Sequence, residues 1–323
     1  MRIVALTEIM AALDEDAAIA AVEEGFRRFS AGEAQVTAVG HLDFPDASGD
    51  CHVKGGYLAG DDVFVIKLAT SFYRNPEQGL ASSNGLMAVM SARTGEVLAL
   101  LHDEGRLTDH RTAMAGAIAA RAIARPHSAV LGVVGSGIQA RMQAQLITRH
   151  LGLKSVLVWA RNGGRAAALA GGLGGQAIAL ADLCAGADLI VTTTPSRSPL
   201  LTAEMVRPGA RIVAVGADSP GKQELDARLL ARARIVVDSR EQCVAHGETG
   251  WAVRAGMIEP AALIELGNLL ARPIVFRDDE IVVADLTGVA VQDVAIAKSV
   301  WRRLENHRSD PPAHIPCANA TKR

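Results

Sequence analysis

Apolar residues recur at helical spacing over residues 8–30, where Leu13, Val22 and Phe26 belong to the apolar face and Gly32 follows as a stop signal. From about residue 36 to residue 104 the pattern changes to short β-like runs such as VFVIKLA, GLMAVMSA and VLALLHD. The turn-forming sequences AGDD, RNPEQG and RTGE separate these runs. The first third of the chain is therefore predicted to form one amphipathic helix and an antiparallel sheet.

The pattern changes again near residue 110. An alanine-rich helix is predicted over residues 110–124, with Thr108 or Asp109 as its cap and Pro126 beyond its end. Aliphatic strands then alternate with segments predicted to be helical, which are residues 138–150, 163–172, 181–186, 202–206, 225–232 and 241–255. Such alternation is typical of a doubly wound parallel sheet. One more strand and a helix that returns to the first domain are predicted at the end.

These patterns predict an α/β protein with two domains. Residues 116–295 are assigned to a Rossmann-type doubly wound parallel sheet that binds a dinucleotide. Residues 1–115 and 296–323 are assigned to a smaller α+β domain for substrate binding and dimerisation. The length of 323 residues exceeds that of a typical single domain. The composition agrees, because 49% of the residues are hydrophobic and only 3% are aromatic, as expected for aliphatic strands buried between helices.

Charge and cysteine usage narrow the class of function. The net charge of -2 comes from 33 basic and 35 acidic residues without a long block of either sign, which argues against a nucleic-acid partner. No apolar stretch reaches the ~20 residues of a membrane span, and acidic residues interrupt the N-terminal segment where a signal peptide would be apolar. The histidines lack the spacing of metal ligands, and the cysteines are scattered without CxxC spacing, at Cys51, Cys184, Cys243 and Cys317. We therefore expect a cytoplasmic protein that acts on a small molecule without a bound metal.

The sequence LGVVGSGIQA at residues 131–140 has the form of a dinucleotide-binding loop. Gly135 allows a tight turn after the strand, Gly137 lets backbone amides approach a pyrophosphate, and Ala140 is small enough for close helix-to-strand packing. Ile138 and Gln139 open the following helix, whose N-terminal amides attract phosphate. The alternative is a structural turn, but the strand before the loop and the βα series after it favour dinucleotide binding.

The end of the next strand bears on which dinucleotide is bound. An acidic residue about 20 positions after the glycine loop takes the ribose hydroxyls of NAD in many such folds. Here Ala160 stands at that position, followed by Arg161 and Asn162. A guanidinium beside an uncharged pocket suits a 2′-phosphate, so NADP(H) is predicted in preference to NAD(H). The alternative is that Arg161 is an ordinary solvated loop residue.

With these motifs in place, the chain resembles the ornithine cyclodeaminase and mu-crystallin family along nearly its whole length. The resemblance is carried by VFVIKLATSFYRNPEQGL, LLHDEGRLTDHRTAMAGAIAAR, GVVGSGIQARMQ, VGADSPGKQELD and LTGVAVQDVAIAK. That family includes ornithine cyclodeaminases, reductases of ketimines and other cyclic imines, iminosuccinate reductases and some alanine dehydrogenases, with dimers as the usual form. The resemblance implies the fold and a homodimer, but it does not choose the substrate.

The resemblance also implies roles for three charged residues. Lys67 and Arg111 are expected to bind the substrate carboxylate, which suits the planar fork of a guanidinium and the point charge of a lysine. Asp218, at the carboxyl end of a strand, is expected near the reacting nitrogen, where it can assist proton transfer or hold an ammonium. Taken alone, these residues are more often a surface lysine, a helix-start arginine and a turn aspartate.

Four further positions are assigned on the same basis. Thr193, Thr194 and Val289 are expected to line the nicotinamide and its ribose. Family members commonly carry a second arginine for the carboxylate in the first domain, and the comparable stretch here is AVGHLDFPDASGDCHVK. His41 is the nearest candidate for that role, with His52 and Lys54 close by in the sequence. A structural role for this histidine remains the alternative.

The function expected from the resemblance is the NAD(P)H-dependent reduction of a cyclic imino acid, such as Δ1-pyrroline-2-carboxylate, to the L-amino acid, here L-proline. The absence of an acidic ribose ligand favours a reductase, because a cyclodeaminase regenerates its own NAD+. Three alternatives stay open, namely ornithine cyclodeaminase, a reductase of linear imino acids or alanine dehydrogenase, and a ligand-binding protein without turnover. Replacing Arg111 with alanine is expected to separate an enzyme from a binding protein.

Overall fold

The computed structural model describes residues 1–309, within which helices cover two large β-sheets. Both sheets and their helices agree with the predicted α/β class, which is confirmed. The part of the predicted return segment from residue 310 to residue 323 lies outside the described residues. No helix in the described part of the chain has the length and apolar character needed to cross a bilayer.

The first unit is built on a mixed sheet of seven strands. Its elements are β1 (Arg2–Ala5), α1 (Leu6–Ala12), α2 (Glu15–Ser30), β2 (Ala34–Val36), β3 (Gly40–Phe44), β4 (Gly49–Leu58), β5 (Val63–Phe72), β6 (Ser83–Ser91), β7 (Val97–His102) and α3 (Arg106–Ile123). The strand order is β1-β7-β6-β5-β4-β2, and β3 pairs with β4 beside β2. The predicted antiparallel sheet is confirmed except at its edge, where β1 pairs with β7 in parallel.

The second unit is a parallel sheet of eight strands in the order β10-β9-β8-β11-β13-β17-β15-β16. Its elements are β8 (Val130–Val134), α4 (Ile138–Leu151), β9 (Ser155–Trp159), α5 (Gly163–Gly172), β10 (Gln176–Ala177), α6 (Leu180–Gly186), β11 (Leu189–Thr192), β12 (Arg197–Leu201), β13 (Arg211–Ala214), β14 (Gln223–Leu225), α7 (Ala227–Leu230), β15 (Ala233–Val237), α8 (Arg240–His246), α9 (Thr249–Arg254), β16 (Ile264–Glu265), α10 (Leu266–Ala271), β17 (Ile281–Asp285) and α11 (Ala290–Ser309). The strands β12 and β14 form a separate parallel pair. The strand order reverses beside β8, where open α/β sheets bind ligands.

Two predicted helices in the first unit have different bounds in the structure. The single helix predicted over residues 8–30 is two helices, because the chain turns at Leu13 and the Asp14 carboxylate accepts a hydrogen bond from Ala17 N at the start of α2. The helix α3 begins at Arg106, before either predicted cap. Gly105, in the left-handed conformation with φ +79°, takes the cap position.

Two predictions in the second unit are also wrong. Residues 202–206 form turns rather than a helix, in a short segment that Pro208 closes. The helix predicted over residues 241–255 is interrupted at Gly247 and Glu248, which separates α8 from α9. The reason is the carboxylate of Glu248, which is buried and accepts hydrogen bonds from the backbone amides of Glu224 and Leu225.

The last helix, α11, joins the two units. It follows β17 of the parallel sheet, and it packs against α2, α3, β4 and β5 of the first unit. The approach to β4 is close, because a Cβ at Gly56 would lie 2.9 Å from Cγ2 of Val294. The first turn of α11 therefore lies against the inner face of the mixed sheet, where the polar residues described next are found.

Candidate active site

The first position of the glycine loop between β8 and α4 has a backbone conformation that only glycine adopts readily. Gly135 has φ +132°, and a Cβ there would collide with Oγ1 of Thr193. At Gly137 no atom lies within 4 Å of the place where a Cβ would stand, so the loop faces open space in front of the α4 N-terminus. Ala140 is fully buried on the sheet side of α4. This arrangement fits a dinucleotide pyrophosphate, which would accept hydrogen bonds from the loop amides and the first turn of α4.

The ends of β11 and β13 lie beside this loop. Thr193 donates a hydrogen bond from Oγ1 to Val134 O (3.2 Å). The buried carboxylate of Glu224 accepts hydrogen bonds from Thr194 N (2.6 Å) and Gly216 N (3.0 Å), and so fixes both strand ends. Burial raises the pKa of Glu224 to about 7, although these hydrogen bonds act in the opposite direction. A carboxylate thus holds the turns that border the cofactor loop.

The other predicted cofactor residues lie further from the loop centre. Arg161 and Asn162 follow β9 and are exposed, and the end of β9 contacts the loop through a hydrogen bond from Gly135 N to Trp159 O (2.8 Å). The Asn162 side chain caps α5 by accepting a hydrogen bond from Arg165 N (3.0 Å). Its oxygen therefore already has a partner within the chain.

A cavity of about 290 Å³ lies between the ends of β11 and β13 and the strands β5 and β6. It brings together seven of the predicted site residues, Arg111, Gly137, Ile138, Gln139, Thr193, Thr194 and Asp218. The remaining predicted residues, Lys67, His41, Gly135, Ala140, Arg161, Asn162 and Val289, are not among the residues that line it. The cavity therefore joins the glycine loop to two basic side chains, Arg111 and Lys222, and to two carboxyl groups, Asp109 and Asp218.

Arg111 belongs to a group of four buried charges, Lys54, Lys67, Arg111 and Asp293, which we call the buried charge cluster. The Asp293 carboxylate pairs with Lys67 Nζ (2.9 Å) through one oxygen and with Arg111 Nε (2.9 Å) through the other. Arg111 Nη1 also donates to Gln292 Oε1 (2.9 Å). Lys67 is only 2% exposed, so it supports Arg111 through the shared carboxylate rather than facing the cavity.

The two lysines of the cluster stand directly opposite each other on β4 and β5. Burial, together with the neighbouring Arg111 and Lys54, lowers the pKa of Lys67 to about 7, against the opposing effect of Asp293. Lys54 donates hydrogen bonds to the carbonyl oxygens of Thr287 (3.2 Å) and Gly288 (2.7 Å) after β17. Three basic side chains are thus buried beside one carboxylate, which contacts two of them.

The loop after β17 is itself held by a buried carboxylate. Asp238 accepts hydrogen bonds from the backbone amides of Thr287 (3.1 Å), Gly288 (2.7 Å) and Val289 (3.3 Å). The Val289 side chain is almost fully buried. Val289 is thus placed in a loop that supports Lys54.

Asp218 lies in a ring of six polar side chains, in which five contacts are within hydrogen-bond distance and the sixth, between His52 and Asp50, is longer. The members of this hydrogen-bond ring are Asp50, His52 and Tyr73 of the first unit and Asp218, Ser219 and Lys222 of the second. On one side, Lys222 Nζ donates to Asp218 Oδ1 (2.7 Å) and to Tyr73 Oη (3.1 Å), and Tyr73 donates to Asp50 Oδ2 (3.2 Å). On the other side, Ser219 Oγ donates to Asp218 Oδ1 (3.1 Å) and lies 3.3 Å from His52 Nε2, which is 3.6 Å from Asp50 Oδ1.

The ring fixes the charge of Asp218. Burial by itself raises the pKa of this carboxyl, but the adjacent Lys222 ammonium outweighs burial and holds the pKa well below its usual range. The same pairing raises the pKa of Lys222 above its usual value, against the effect of burial. Asp218 is therefore an anion, and Lys222 a cation, at neutral pH.

His41 is placed on β3 directly opposite His52 on β4. The two rings meet edge to face with centroids 4.8 Å apart, and His41 Nε2 lies 3.1 Å from Asp43 Oδ1. His52 rather than His41 contacts the residues around Asp218. Lys54 lies close enough to Arg111, and His52 close enough to Asp218, for their charges to interact.

This combination of fold and site matches a known family. The family model of the ornithine cyclodeaminase/mu-crystallin family matches residues 2–308. The chain belongs to this family. The predicted resemblance is confirmed.

Three relatives show how close the match is. A putative dehydrogenase of Rhizobium meliloti is 42% identical over 301 residues, which cover 90% of this chain and 91% of the relative. A Δ1-pyrroline-2-carboxylate reductase of Paracoccus denitrificans is 34% identical over 252 residues, 74% of this chain and 79% of the relative. An archaeal alanine dehydrogenase, solved as a dimer with bound NAD, superposes with a TM-score of 0.88 and 33% identity, covering 96% of this chain and 98% of the other. These relatives are dehydrogenases and reductases, in agreement with the predicted oxidoreductase class.

The sequence analysis did not identify several residues of the site. Asp293 lies in the segment VAVQDVAIAK and Lys222 in GKQELD, both of which carry the resemblance, but nothing in their spacing pairs them with Lys67 or Asp218. Glu224 and the ring members Asp50 and Tyr73 also lie in segments quoted in the sequence analysis, but they were not assigned, because their partners lie on other elements. Within residues 1–309 no group of histidine, cysteine, aspartate and glutamate is arranged to hold a metal ion.

Proposed function

We propose that this protein reduces an α-imino acid to the amino acid with NAD(P)H, and that a cyclic ketimine such as Δ1-pyrroline-2-carboxylate, which gives L-proline, is its substrate. The observation that carries the proposal is the single cavity that joins the glycine loop, Arg111 and Asp218. A cation for the carboxylate and an anion for the nitrogen are the two groups that an α-imino acid requires. The relative named as a Δ1-pyrroline-2-carboxylate reductase supports this choice of substrate.

Arg111 is the proposed carboxylate ligand. Its Nε and Nη1 atoms are held by Asp293 and Gln292, and the described residues make no hydrogen bond to its Nη2. The guanidinium is therefore fixed in orientation while donor hydrogens are left for a ligand. The buried charge cluster has more basic than acidic side chains. Its net positive charge favours an anionic ligand, because a substrate carboxylate would neutralise part of that charge.

Asp218 is the proposed partner of the reacting nitrogen. As an anion it stabilises the positive charge of a protonated imine, which makes the imine carbon a better acceptor of hydride. Reduced nicotinamide, when bound at the glycine loop, supplies that hydride. In its ionised state Asp218 holds no proton of its own, so a proton that it passes to the nitrogen comes from a neighbouring side chain or from water.

The proposed cofactor is NADP(H), with NAD(H) as the second choice. Residues 160–165 include no carboxylate, whereas Arg161 is exposed at the end of β9 beside the glycine loop. A 2′-phosphate in that place would meet a guanidinium and no repelling charge. The archaeal relative binds NAD, so this preference is a property proposed for this chain rather than for the family.

We also propose that the protein is a cytoplasmic homodimer that pairs through its mixed sheet. The outer face of this sheet carries apolar side chains in register, with Val53 opposite Leu68, and these are 38% and 40% exposed. Leu42 on β3 is more exposed still. A contiguous apolar face of this kind suits a second copy of the chain, and a solved relative is a dimer.

The decisive experiment follows the absorbance of reduced nicotinamide with the purified protein. NADPH and NADH are offered separately with Δ1-pyrroline-2-carboxylate, and L-ornithine with NAD+ is assayed for proline and ammonia. Oxidation of NADPH by the imine with no reaction of ornithine is the expected result. Formation of proline and ammonia from ornithine without net change in the cofactor would instead establish a cyclodeaminase and overturn the proposal.

A further inference from the structure

The side of the hydrogen-bond ring that runs through Ser219 has all its donors aimed at Asp218. Ser219 Oγ donates its only hydrogen to Asp218 Oδ1 (3.1 Å), so it acts as an acceptor toward His52 Nε2, 3.3 Å away. His52 therefore carries its hydrogen on Nε2, facing Ser219. On the opposite side Lys222 also donates to Asp218 (2.7 Å), but its pKa is raised by the adjacent Asp218 and Tyr73, so it holds its proton tightly. Beyond Lys222 the hydrogen bonds run away from Asp218, because Lys222 donates to Tyr73 and Tyr73 donates to Asp50. The Ser219 side is therefore the better aligned for proton movement toward Asp218.

Reduction of an imine needs a proton to reach the imine nitrogen. The imine carbon takes a hydride, which brings two electrons, and the C=N π bond becomes the lone pair of the nitrogen. One proton must then be bound by the nitrogen, directly or as the iminium hydrogen, so one N–H bond forms for each hydride transferred. Because Asp218 is ionised at rest, it passes a proton to the nitrogen only as it receives one from a neighbour.

We infer that His52 and Ser219 form a proton relay to Asp218 for the imine-reducing reaction, an inference that rests on the proposed function. The Oγ–H bond of Ser219 breaks as its proton passes to Asp218, and Ser219 takes the Nε2 hydrogen of His52. His52 regains a proton from solvent at its other ring nitrogen. The net change is one proton moved from solvent to the substrate nitrogen, and the charge of every side chain is restored. His52 is left with its hydrogen on Nδ1, so before the next turnover its ring returns to the Nε2–H form by proton exchange with solvent.

The state of His52 suits this role. Burial lowers the pKa of His52 to about 4, so the ring is neutral at pH 7 and carries a hydrogen on one nitrogen and a lone pair on the other. A neutral ring of this kind releases one proton while it accepts another. The charged groups that act on it are Asp218, which opposes the lowering, and Lys54, His41 and Lys222, which add to it, with Asp50 at 3.6 Å.

His41 marks the solvent side of the relay. Its ring meets that of His52 edge to face, and its Nε2 atom contacts the exposed Asp43. Its Nδ1 atom is buried and has no hydrogen-bond partner in the described part of the chain. The pair of histidines thus continues from Ser219 toward the surface of β3 and β4, and it gives the predicted residue His41 a place beside the relay rather than at the substrate.

The test compares His52→Gln and Ser219→Ala with the wild type. Glutamine keeps a donor near Ser219 but cannot exchange one proton for another, and alanine removes the relay atom. Each variant is expected to lower kcat by about 10- to 100-fold, within the range of acid–base contributions, with the KM for the imine little changed. The solvent deuterium isotope effect on kcat should rise, because proton delivery becomes rate-limiting. Added imidazole should restore turnover to His52→Ala, which a purely structural role would not allow.

The matched control is His127→Gln, which makes the same change at an exposed histidine before β8 and is expected to leave kcat and the isotope effect unaltered. Unchanged kcat in both relay variants, or a loss confined to KM without imidazole rescue, overturns the relay. A second measurement needs no turnover. In ¹⁵N-histidine NMR spectra of the wild type, His52 should be neutral with its hydrogen on Nε2 at pH 7, and that signal should shift in Ser219→Ala. A hydrogen on Nδ1 overturns the relay even if no imino acid is reduced, whereas an inactive wild type with the expected spectrum counts against the proposed function alone.

Discussion

The two polar assemblies at the cavity, the buried charge cluster and the hydrogen-bond ring, differ in their contact with water. The four cluster residues are at most 6% exposed. In the ring, Asp50, Ser219 and Lys222 are similarly buried, at 5–7% exposed, whereas Tyr73 is 43% exposed and Asp218 is half-buried. Desolvated charges that pair with each other keep a fixed geometry, and groups that retain contact with solvent can exchange protons with it. The cluster is thus suited to orienting a carboxylate, and the ring to exchanging protons at the nitrogen.

The largest expected effect follows from removing Arg111, the proposed ligand of the substrate carboxylate. Arg111→Ala should lower kcat/KM for the imine by about 10³-fold, roughly 4 kcal/mol, because the substrate carboxylate loses its bidentate partner. Binding of the dinucleotide, measured by calorimetry, should be unchanged because Arg111 is separate from the glycine loop. Arg106→Ala, one turn earlier on α3 and exposed, is the matched control. Full activity of Arg111→Ala would show that Arg111 does not bind the substrate carboxylate.

The next effect concerns the stability of the cluster. Asp293→Asn leaves Lys67 and Arg111 buried without their contacting anion, and breaking a buried ion pair typically costs about 3–5 kcal/mol. The free energy of unfolding in urea is the measurement. The control is Asp279→Asn, which removes an exposed carboxylate that pairs with Arg277 at the surface and should cost less than about 1 kcal/mol. Equal losses in the two variants would show that the cluster charges are not desolvated.

The dinucleotide unit is the part of the molecule that the sequence predicted most accurately. Each part of the dinucleotide unit is encoded over a short stretch, so the bounds of α5 were predicted to the residue and α4 to within one residue. Arg111 and Asp218, which line the cavity, were predicted from the resemblance, and that resemblance is carried by compact motifs. Glycine loops, caps and strand ends depend on neighbours in the chain, and these are visible in a single sequence.

The remaining parts of the site depend on contacts between distant elements. Arg111 and its partner Gln292 are 181 positions apart, and Lys54 is 234 positions from Gly288. The pairing of Lys54 with Lys67 follows from strand register, which the turn signals alone did not specify. His41 was chosen over His52 because position along the chain was the only guide. The sheet then showed that His52, on the neighbouring strand, points to Ser219.

The third prediction separates the two assemblies by pH. Burial lowers the pKa of His52 from 6.5 to about 4 and that of Lys67 from 10.5 to about 7. A base with a lowered pKa binds its proton more weakly in the folded state, so between the two values the unfolded state holds more protons and stability rises with pH. The ring therefore acts on stability between about pH 4 and 6.5, and the cluster between about pH 7 and 10.5.

This difference is measured by urea unfolding across the pH range. His52→Gln should remove a rise of about 3 kcal/mol between pH 4 and 6.5 and leave the alkaline range as in the wild type. Lys67→Met should flatten the alkaline range and leave the acidic one. The control His127→Gln should follow the wild type throughout. A change in both ranges in either variant would show that the two assemblies titrate as one unit.

The smallest effect is expected outside both assemblies, at the end of β9. Arg161→Ala should raise the KM for NADPH by about 10-fold, roughly 1.4 kcal/mol, because an exposed guanidinium gives up one charge-assisted contact to the 2′-phosphate. The KM for NADH should not change, since that cofactor has no such phosphate, and Arg93→Ala in the exposed turn between β6 and β7 is the control. Ala160→Asp should act in the opposite direction by placing a carboxylate where ribose hydroxyls bind, and so favour NADH. An equal rise in the KM for both cofactors in Arg161→Ala would show that the arginine contacts the pyrophosphate, which the two share. The residues around Ala160 would then favour neither dinucleotide.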